Sequence, residues 1–558
     1  MKEKVGRYFT IAFVLLLFLG AGVFIGSSSK LRFRKGYTSM DKLNATLDLI
    51  EEYYVDSVST EELVNNLIPE LINQLDPHST YLTREQKESE KESLEGHFSG
   101  IGVTFNTIKD TAIVVSVIPN GPSDIAGIKA GDRIVSADGE PLSGIPADSI
   151  RSLLRGAEGS IVDLGVRSYN KKEIEQVQVR RGTVNVRQVE GAFMVNDSLG
   201  SVRLSNFAFN TYNDFMQAVA KLRSEGAKGL VLDLRGNPGG LMQSALQIAN
   251  EMLPPNSLII YMEGLHYPRY EIHSDGTGTL VGFPVYVLVD GMSASSSEIV
   301  TGAAQDNDVA IIVGRRTFGK GLVQKPYEYY DGSSVNLTIA HYYTPSGRSI
   351  QREYSLGNSS EYSLDWMDRY NNGELFHEDS VHFDPELLYK TKGGRSVFGG
   401  GGIMPDVYVP TDTIGYNSYY MEVYSKGLLP QFAFHYADTY RDLLSRLGDP
   451  EKCYQFLLNQ GLVWQFANYA TKHGVRPRNY LVYLAQDRIS EVLYPLVIEY
   501  IYGADAGWMI RSKTDPMFEV VSGFFADGIY SPHQIPKEEL AIPDTLLQAN
   551  TIRNDEEE

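Results

Sequence analysis

Four of the five residues in Ser293-Ala-Ser-Ser-Ser297 are serines, and Glu298 follows them. The cluster comes just after an apolar run, Pro284-Val-Tyr-Val-Leu-Val289, and leads into a helical run from Ile299 to Ala304. A serine at such a junction lies at a helix N-terminus, where free N–H groups and the dipole favour a developing negative charge. Serines there also serve simply as helix caps. A second group follows the next apolar run, Val309–Val313: Thr317-Phe-Gly-Lys320-Gly-Leu-Val-Gln324. Lys320 stands between two glycines, which let backbone approach closely. A lysine is a general base only when neutral, and burial favours the neutral form. Serine with lysine is a known variant of the serine-nucleophile arrangement. Gln324 could hold the amine through its side-chain carbonyl. The plain alternative is a surface lysine in a glycine turn. A third group, Asp233-Leu-Arg-Gly-Asn-Pro-Gly239-Gly240, follows the run Gly229–Leu234. Its glycine amides could form an oxyanion hole, a tight turn or a phosphate site. Three such groups at the C-terminal ends of successive strands stand where sites in α/β sheets lie.

Other chemistries lack their residues. There is no HExxH, no Walker loop and no GxSxG; Gly291-Met-Ser293-Ala-Ser295 lacks the last glycine. The ten histidines show no ligand spacing, and one cysteine, Cys453, excludes an internal disulfide and CxxC-type zinc sites. No metal or cofactor is expected. The 70 acidic and 50 basic residues give a formal charge of −20, which disfavours nucleic-acid binding. Apolar residues at 42% and charged residues at 22% describe globular protein.

Strand–helix–strand patterning surrounds the three groups from about 186 to 350. Ser201–Leu204 reads as a strand, and Phe215, Val219 and Leu222 share one helical face. The apolar runs suit buried strands, so this is an α/β core. From about 96 to 185, short β-rich runs alternate with glycine turns and suggest a small β domain. Residues 37–75 read as helical, with Leu43, Leu47 and Ile50 and then Leu63, Leu67 and Leu71 at helical spacing. Residues 353–386 carry nine acidic residues and one arginine and read as a surface insertion. The chain reads mainly helical from about 416 to 545. Tyr8 to Ser29 carries no charge and is long enough to cross a bilayer or to be a cleaved signal. Positive residues flank it on both sides, so charge alone does not orient it. The expected parts are 1–36 as anchor or signal, 37–95, 96–185, 186–415 with its insertion, and 416–558.

The chain resembles the carboxyl-terminal processing peptidases, or tail-specific proteases, of the S41 family. The resemblance runs from about 40 to 410. It rests on Leu75-Asp-Pro-His-Ser79, the β domain, Leu232–Gly240, Ser293–Glu298, Gly314–Gln324, Tyr343-Thr-Pro-Ser-Gly347 and Ile403-Met-Pro-Asp406. It implies an α/β, crotonase-like (ClpP/crotonase-type) core with an inserted PDZ domain, an N-terminal helical segment and a C-terminal helical extension. It also implies a serine endopeptidase working through an acyl-enzyme. Ser295 is the implied nucleophile, Lys320 its base 25 residues on, and Gln324 the residue that places the lysine. The implied oxyanion donors are Ser296, where the family usually has alanine, and Gly239 or Gly240. Gly100, Ile101, Gly102 and Val103 match the PDZ loop that takes a peptide's terminal carboxylate, with the peptide added as a strand beside 102–106. The implied partners are proteins or peptides with accessible C-termini. The membrane is implied through the N-terminal segment, and an adaptor or second copy through the extension. The bulk of the chain is expected to be exported, periplasm-fashion, anchored or released. An acyl-CoA hydratase-type enzyme and an inactive binding scaffold are the competing classes.

Overall fold

The computed structural model describes residues 38–108, 111–168 and 171–541. The expected anchor or signal, 1–36, lies outside the described residues. Among the described residues no helix is long and apolar enough to cross a membrane.

The chain divides into two units, Met1–Leu75 and Asp76–Glu558. The first contains helices Ser39–Tyr53 and Thr60–Ile72, as the leucine spacing predicts. Thr38 and Asp41 close a reciprocal cap: the Asp41 N–H donates to Thr38 Oγ1, and the Thr38 N–H donates to Asp41 Oδ2.

The second unit is built on a six-stranded sheet. Its order is Val189–Met194, Leu199–Leu204, Gly229–Asp233, Val285–Val289, Ile311–Gly314, Val407–Tyr408. The first pair is antiparallel and the rest are parallel. Gly229–Asp233, Val285–Val289 and Ile311–Gly314 are adjacent and wholly buried, which is why they read as unbroken apolar runs. The three loops that follow them carry the three chemical groups. On one face, helices Thr211–Ser224, Met242–Met252 and Ser296–Asp306 contribute Phe215, Leu222, Ile248 and Val300 to the main core.

The opposite face is covered from far along the chain. Tyr286, Leu288, Ile311 and Val313 pack against Met517, Phe518, Val521 and Phe524 of helix Pro516–Ala526. The last helices thus complete the α/β core, because a parallel sheet must bury both faces. Replacing Phe518 with alanine is expected to lower unfolding stability by about 3–5 kcal/mol, measured by urea titration. A loss below about 1 kcal/mol would show that the rear face does not need this helix.

The β domain pairs Val103–Ile108, Thr111–Val117, Arg133–Ala137, Ile161–Arg167 and Glu175–Arg180 in that order. Val103–Ile108 is an edge strand. Alternation divides Thr111–Val117 between two cores. Ala112 and Val114 enter the domain's own core, while Ile113 joins the helical core of Phe432, Phe466 and Leu493. Arg133 Nη2 to Asp438 Oδ2, 2.6 Å, and Asn106 Nδ2 to Tyr500 Oη, 3.2 Å, reinforce that contact.

The acidic insertion is not peripheral. Its helix Ser359–Asn371 buries Tyr362 and Arg369. Arg369 Nη1 donates to Thr317 O at 2.9 Å and Arg369 Nη2 to Phe318 O at 3.2 Å. Arg352 lies over the rings of Phe318 and Tyr362. The insertion thus braces the loop that carries Lys320.

Candidate active site

Three of the four clustered serines act as staples. Ser293 Oγ donates to Leu234 O at 2.9 Å, Ser296 Oγ to Gly240 O at 2.9 Å and Ser297 Oγ to Asn237 O at 2.9 Å. Together they pin the Asp233–Gly240 turn to the start of helix Ser296–Asp306. The fourth, Ser295, is half-buried at the cap position. Its φ of 53° and ψ of −111° are costly for a residue with a side chain, on the order of 1–3 kcal/mol.

Glu298 joins this helix to the lysine loop. Its carboxylate is wholly buried and accepts four hydrogen bonds. Oε2 takes the Ser295 N–H and the Lys320 N–H, each at 2.9 Å. Oε1 takes the Gly319 N–H at 2.7 Å and Thr317 Oγ1 at 2.6 Å. Burial pushes this carboxyl above its ordinary range, while the four donors pull the other way. Tyr342 Oη adds a second clasp, 2.7 Å from Lys320 O and 3.1 Å from Ser295 O.

Burial holds the Lys320 amine below the usual lysine range, opposed by Glu298, Asp76 and Glu90. Ser295 and Lys320 are therefore brought to one carboxylate. No hydrogen bond between Ser295 Oγ and Lys320 is present among the described residues, and none joins Gln324 to Lys320. Gln324 Nε2 donates to Thr338 Oγ1 at 3.1 Å.

The glycine turn lies against Ser295. A Cβ on Gly239, at φ +101°, would sit 2.8 Å from Ser295 Cβ and 2.9 Å from Ser296 N. The Gly239 N–H donates to Asn237 Oδ1 at 2.9 Å. Gly240 is exposed, and its N–H and that of Ser296 donate no hydrogen bond among the described residues. Ser296 at N1 lies among the first helical amides, which lack intrahelical acceptors.

Several residues here carry no role in the sequence reading. Glu298 and Thr317 lie within the serine and lysine motifs, where no local pattern gives them a role. Asp76 and His78 stand in the Asp-Pro-His-Ser block without a function. His78 Nε2 lies 2.8 Å from Tyr362 Oη. Burial, with Lys320 and Arg352 nearby and Asp76 opposing, lowers His78 to about 4. Between its ordinary value of 6.5 and about 4, the unfolded chain binds a proton that the folded chain refuses. Stability therefore falls as pH drops through that window, by up to about 3 kcal/mol. His78→Gln is expected to flatten this slope in urea titrations at pH 7 and pH 4.5. An unchanged slope would remove His78 as its source.

In the β domain, Gly100, Ile101 and Gly102 are buried and Val103 opens the edge strand. Gly102 has φ +74°. Ile101 O accepts the Ser123 N–H and Gly102 O accepts the Ile118 N–H. The N–H groups of Ile101 and Gly102 donate no hydrogen bond among the described residues. The four residues lie in the second unit with Ser295, but in the β domain and not at the loops of the six-stranded core sheet.

Family models assign the parts. Peptidase family S41 matches residues 198–357, a PDZ domain matches 113–168, and a family of unknown function matches 419–503. These define a serine-type peptidase carrying a PDZ domain. The chain is 31% identical over 358 residues to the carboxy-terminal processing protease CtpA of Bacillus subtilis (strain 168), covering 63% of this chain and 76% of that one. It is 32% identical over 349 residues to the carboxy-terminal-processing protease of Bartonella bacilliformis, covering 60% and 80%. The chain belongs to the carboxy-terminal processing proteases of family S41. Among solved structures, the photosystem II D1 C-terminal processing protease is 28% identical, covers 56% of this chain and 84% of its own, and has a TM-score of 0.34.

Proposed function

We propose that this protease cleaves by a Ser295–Lys320 dyad through an acyl-enzyme. Ser295 Oγ attacks the scissile carbonyl, and its proton passes to neutral Lys320 Nζ. The N–H groups of Ser296 and Gly240 hold the tetrahedral oxyanion. Collapse expels the amine, which takes the proton from Lys320, and water then releases the acyl group from Ser295. Gly239 serves by its missing side chain, since its N–H is committed to Asn237. The observation that carries this reading is the shared Glu298 carboxylate, bonded to both Ser295 N–H and Lys320 N–H. The core is read as crotonase-like. The PDZ domain is read as an insertion, a reading supported by the pairing of His97–Gly100 with Gly182–Asn185 where the chain enters and leaves the domain.

The PDZ domain is assigned the substrate's C-terminus. The unbonded N–H groups of Ile101 and Gly102 would take the carboxylate, and the edge strand Val103–Ile108 would take the peptide as an added strand. The N-terminal segment would hold the exported enzyme at a membrane, a reading that rests on the uncharged stretch Tyr8–Ser29. The test offers a peptide with an apolar C-terminus as free acid and as amide. The free acid should be cleaved at least about tenfold faster at limiting concentration, and Ser295→Ala should cleave neither. Equal rates for acid and amide would remove the PDZ role. Cleavage by Ser295→Ala would remove the nucleophile.

A further inference from the structure

We infer that Asp76 and Thr338 are positioning residues: they form a relay that orients Gln324 so that its carbonyl end faces the Lys320 amine. The inference rests on the dyad proposed above. Thr338 Oγ1 donates to Asp76 Oδ1 at 2.9 Å and accepts Gln324 Nε2 at 3.1 Å. An ionised carboxylate only accepts, so the hydroxyl proton of Thr338 is committed to Asp76. Thr338 Oγ1 is then an acceptor for Gln324, which must turn its NH₂ towards it. Oε1 is the end left for another partner, and an amine or ammonium is a donor that suits it. The polarity of two side chains, Thr338 and Gln324, is thus set by the charge of Asp76 at the start of the relay.

Asp76 is itself held rigidly. Its carboxylate accepts the N–H groups of His78 and Ser79, each at 2.9 Å, and Ser79 Oγ at 2.6 Å. The Thr338 N–H donates to Ser79 Oγ at 3.0 Å, so loop and strand Ser334–Tyr343 are bonded twice. These bonds to its ionised form keep Asp76 below the ordinary carboxylate range despite burial. The charged or titratable groups acting on Lys320 are Glu298, Asp76 and Glu90, which favour its protonated form, and His78, which is neutral above about pH 4. Removing the charge of Asp76 should therefore make Lys320 easier to deprotonate.

The test measures peptide cleavage by the full chain across pH 5–10. Thr338→Val keeps the shape and removes the hydroxyl; kcat should fall about 10–100-fold with KM unchanged. Thr338→Ser keeps the hydroxyl and should restore most of that loss. Asp76→Asn should lower the plateau and move the acid limb of the kcat profile to lower pH, which a purely structural defect would not do. Lys320→Ala is the control for the dyad. If Lys320→Ala is inactive while Thr338→Val matches wild type, the relay is overturned and the dyad stands. If Lys320→Ala cleaves normally, both are overturned. Should Thr338→Val fail to fold, the Asp76→Asn profile decides: an unmoved acid limb overturns the relay.

Discussion

Replacing Lys320 with alanine is expected to reduce kcat by about four orders of magnitude, and Ser295→Ala by at least as much. Members of a nucleophile–base unit fail together, because neither accelerates the reaction without its partner. The double variant should therefore be no slower than either single one. Lys320→Arg separates charge from base strength. A guanidinium stays protonated at any working pH, so arginine should not rescue activity. The wild-type rate should rise with pH as the Lys320 amine loses its proton. Because burial lowers the amine's pKa, that rise should come below the ordinary lysine range. Stopped peptide assays with each variant, beside circular dichroism for fold, check this. Activity within tenfold of wild type in Lys320→Arg would sink the base assignment.

Loss of Glu298 should do damage of a different kind. Glu298→Ala would strand three backbone N–H groups, of Ser295, Gly319 and Lys320, and the Thr317 hydroxyl. At roughly 1 kcal/mol or more for each buried orphan, stability should fall by about 4 kcal/mol. Activity should fall with it, by about a hundredfold or more, since backbone at both Ser295 and Lys320 loses its anchor. Glu298→Gln is nearly the same size but offers an NH₂ to one pair of donors, so it should rescue little. Thermal unfolding and peptide cleavage of both variants provide the measurement. If Glu298→Gln keeps wild-type stability and rate, the carboxylate is not what joins the two loops.

Much of the site was legible because its residues report on backbone. Gly239 lies against Ser295 with no room for a Cβ, and glycine in a Pro-Gly-Gly turn announces that. The runs 229–234, 284–289 and 309–313 announce a doubly covered sheet. Two things stayed hidden. The charged groups acting on Lys320 include Asp76 and Glu90, both more than 200 residues before it, and no local pattern pairs them. The acidic insertion read as surface because its charge is high, yet Tyr362, Arg369, Glu374 and Val381 are buried among its many exposed side chains. Ser296 stands where the family usually has alanine. Its hydroxyl fastens the Gly240 carbonyl, so here serine ties the glycine turn to the helix.

The third layer over the sheet has a consequence in time. Helix Pro516–Ala526 is synthesised about 200 residues after strand Ile311–Gly314, which it covers. At about 5–20 residues per second that is roughly 10–40 s of translation. Throughout that interval Tyr286, Leu288, Ile311 and Val313 lack their cover. Arg235, in the turn beside Ser295, also lacks Asp515, the residue that starts the helix and accepts its Nη1 at 2.6 Å. The nascent chain therefore carries Ser295 and Lys320 well before it can finish the fold that holds them.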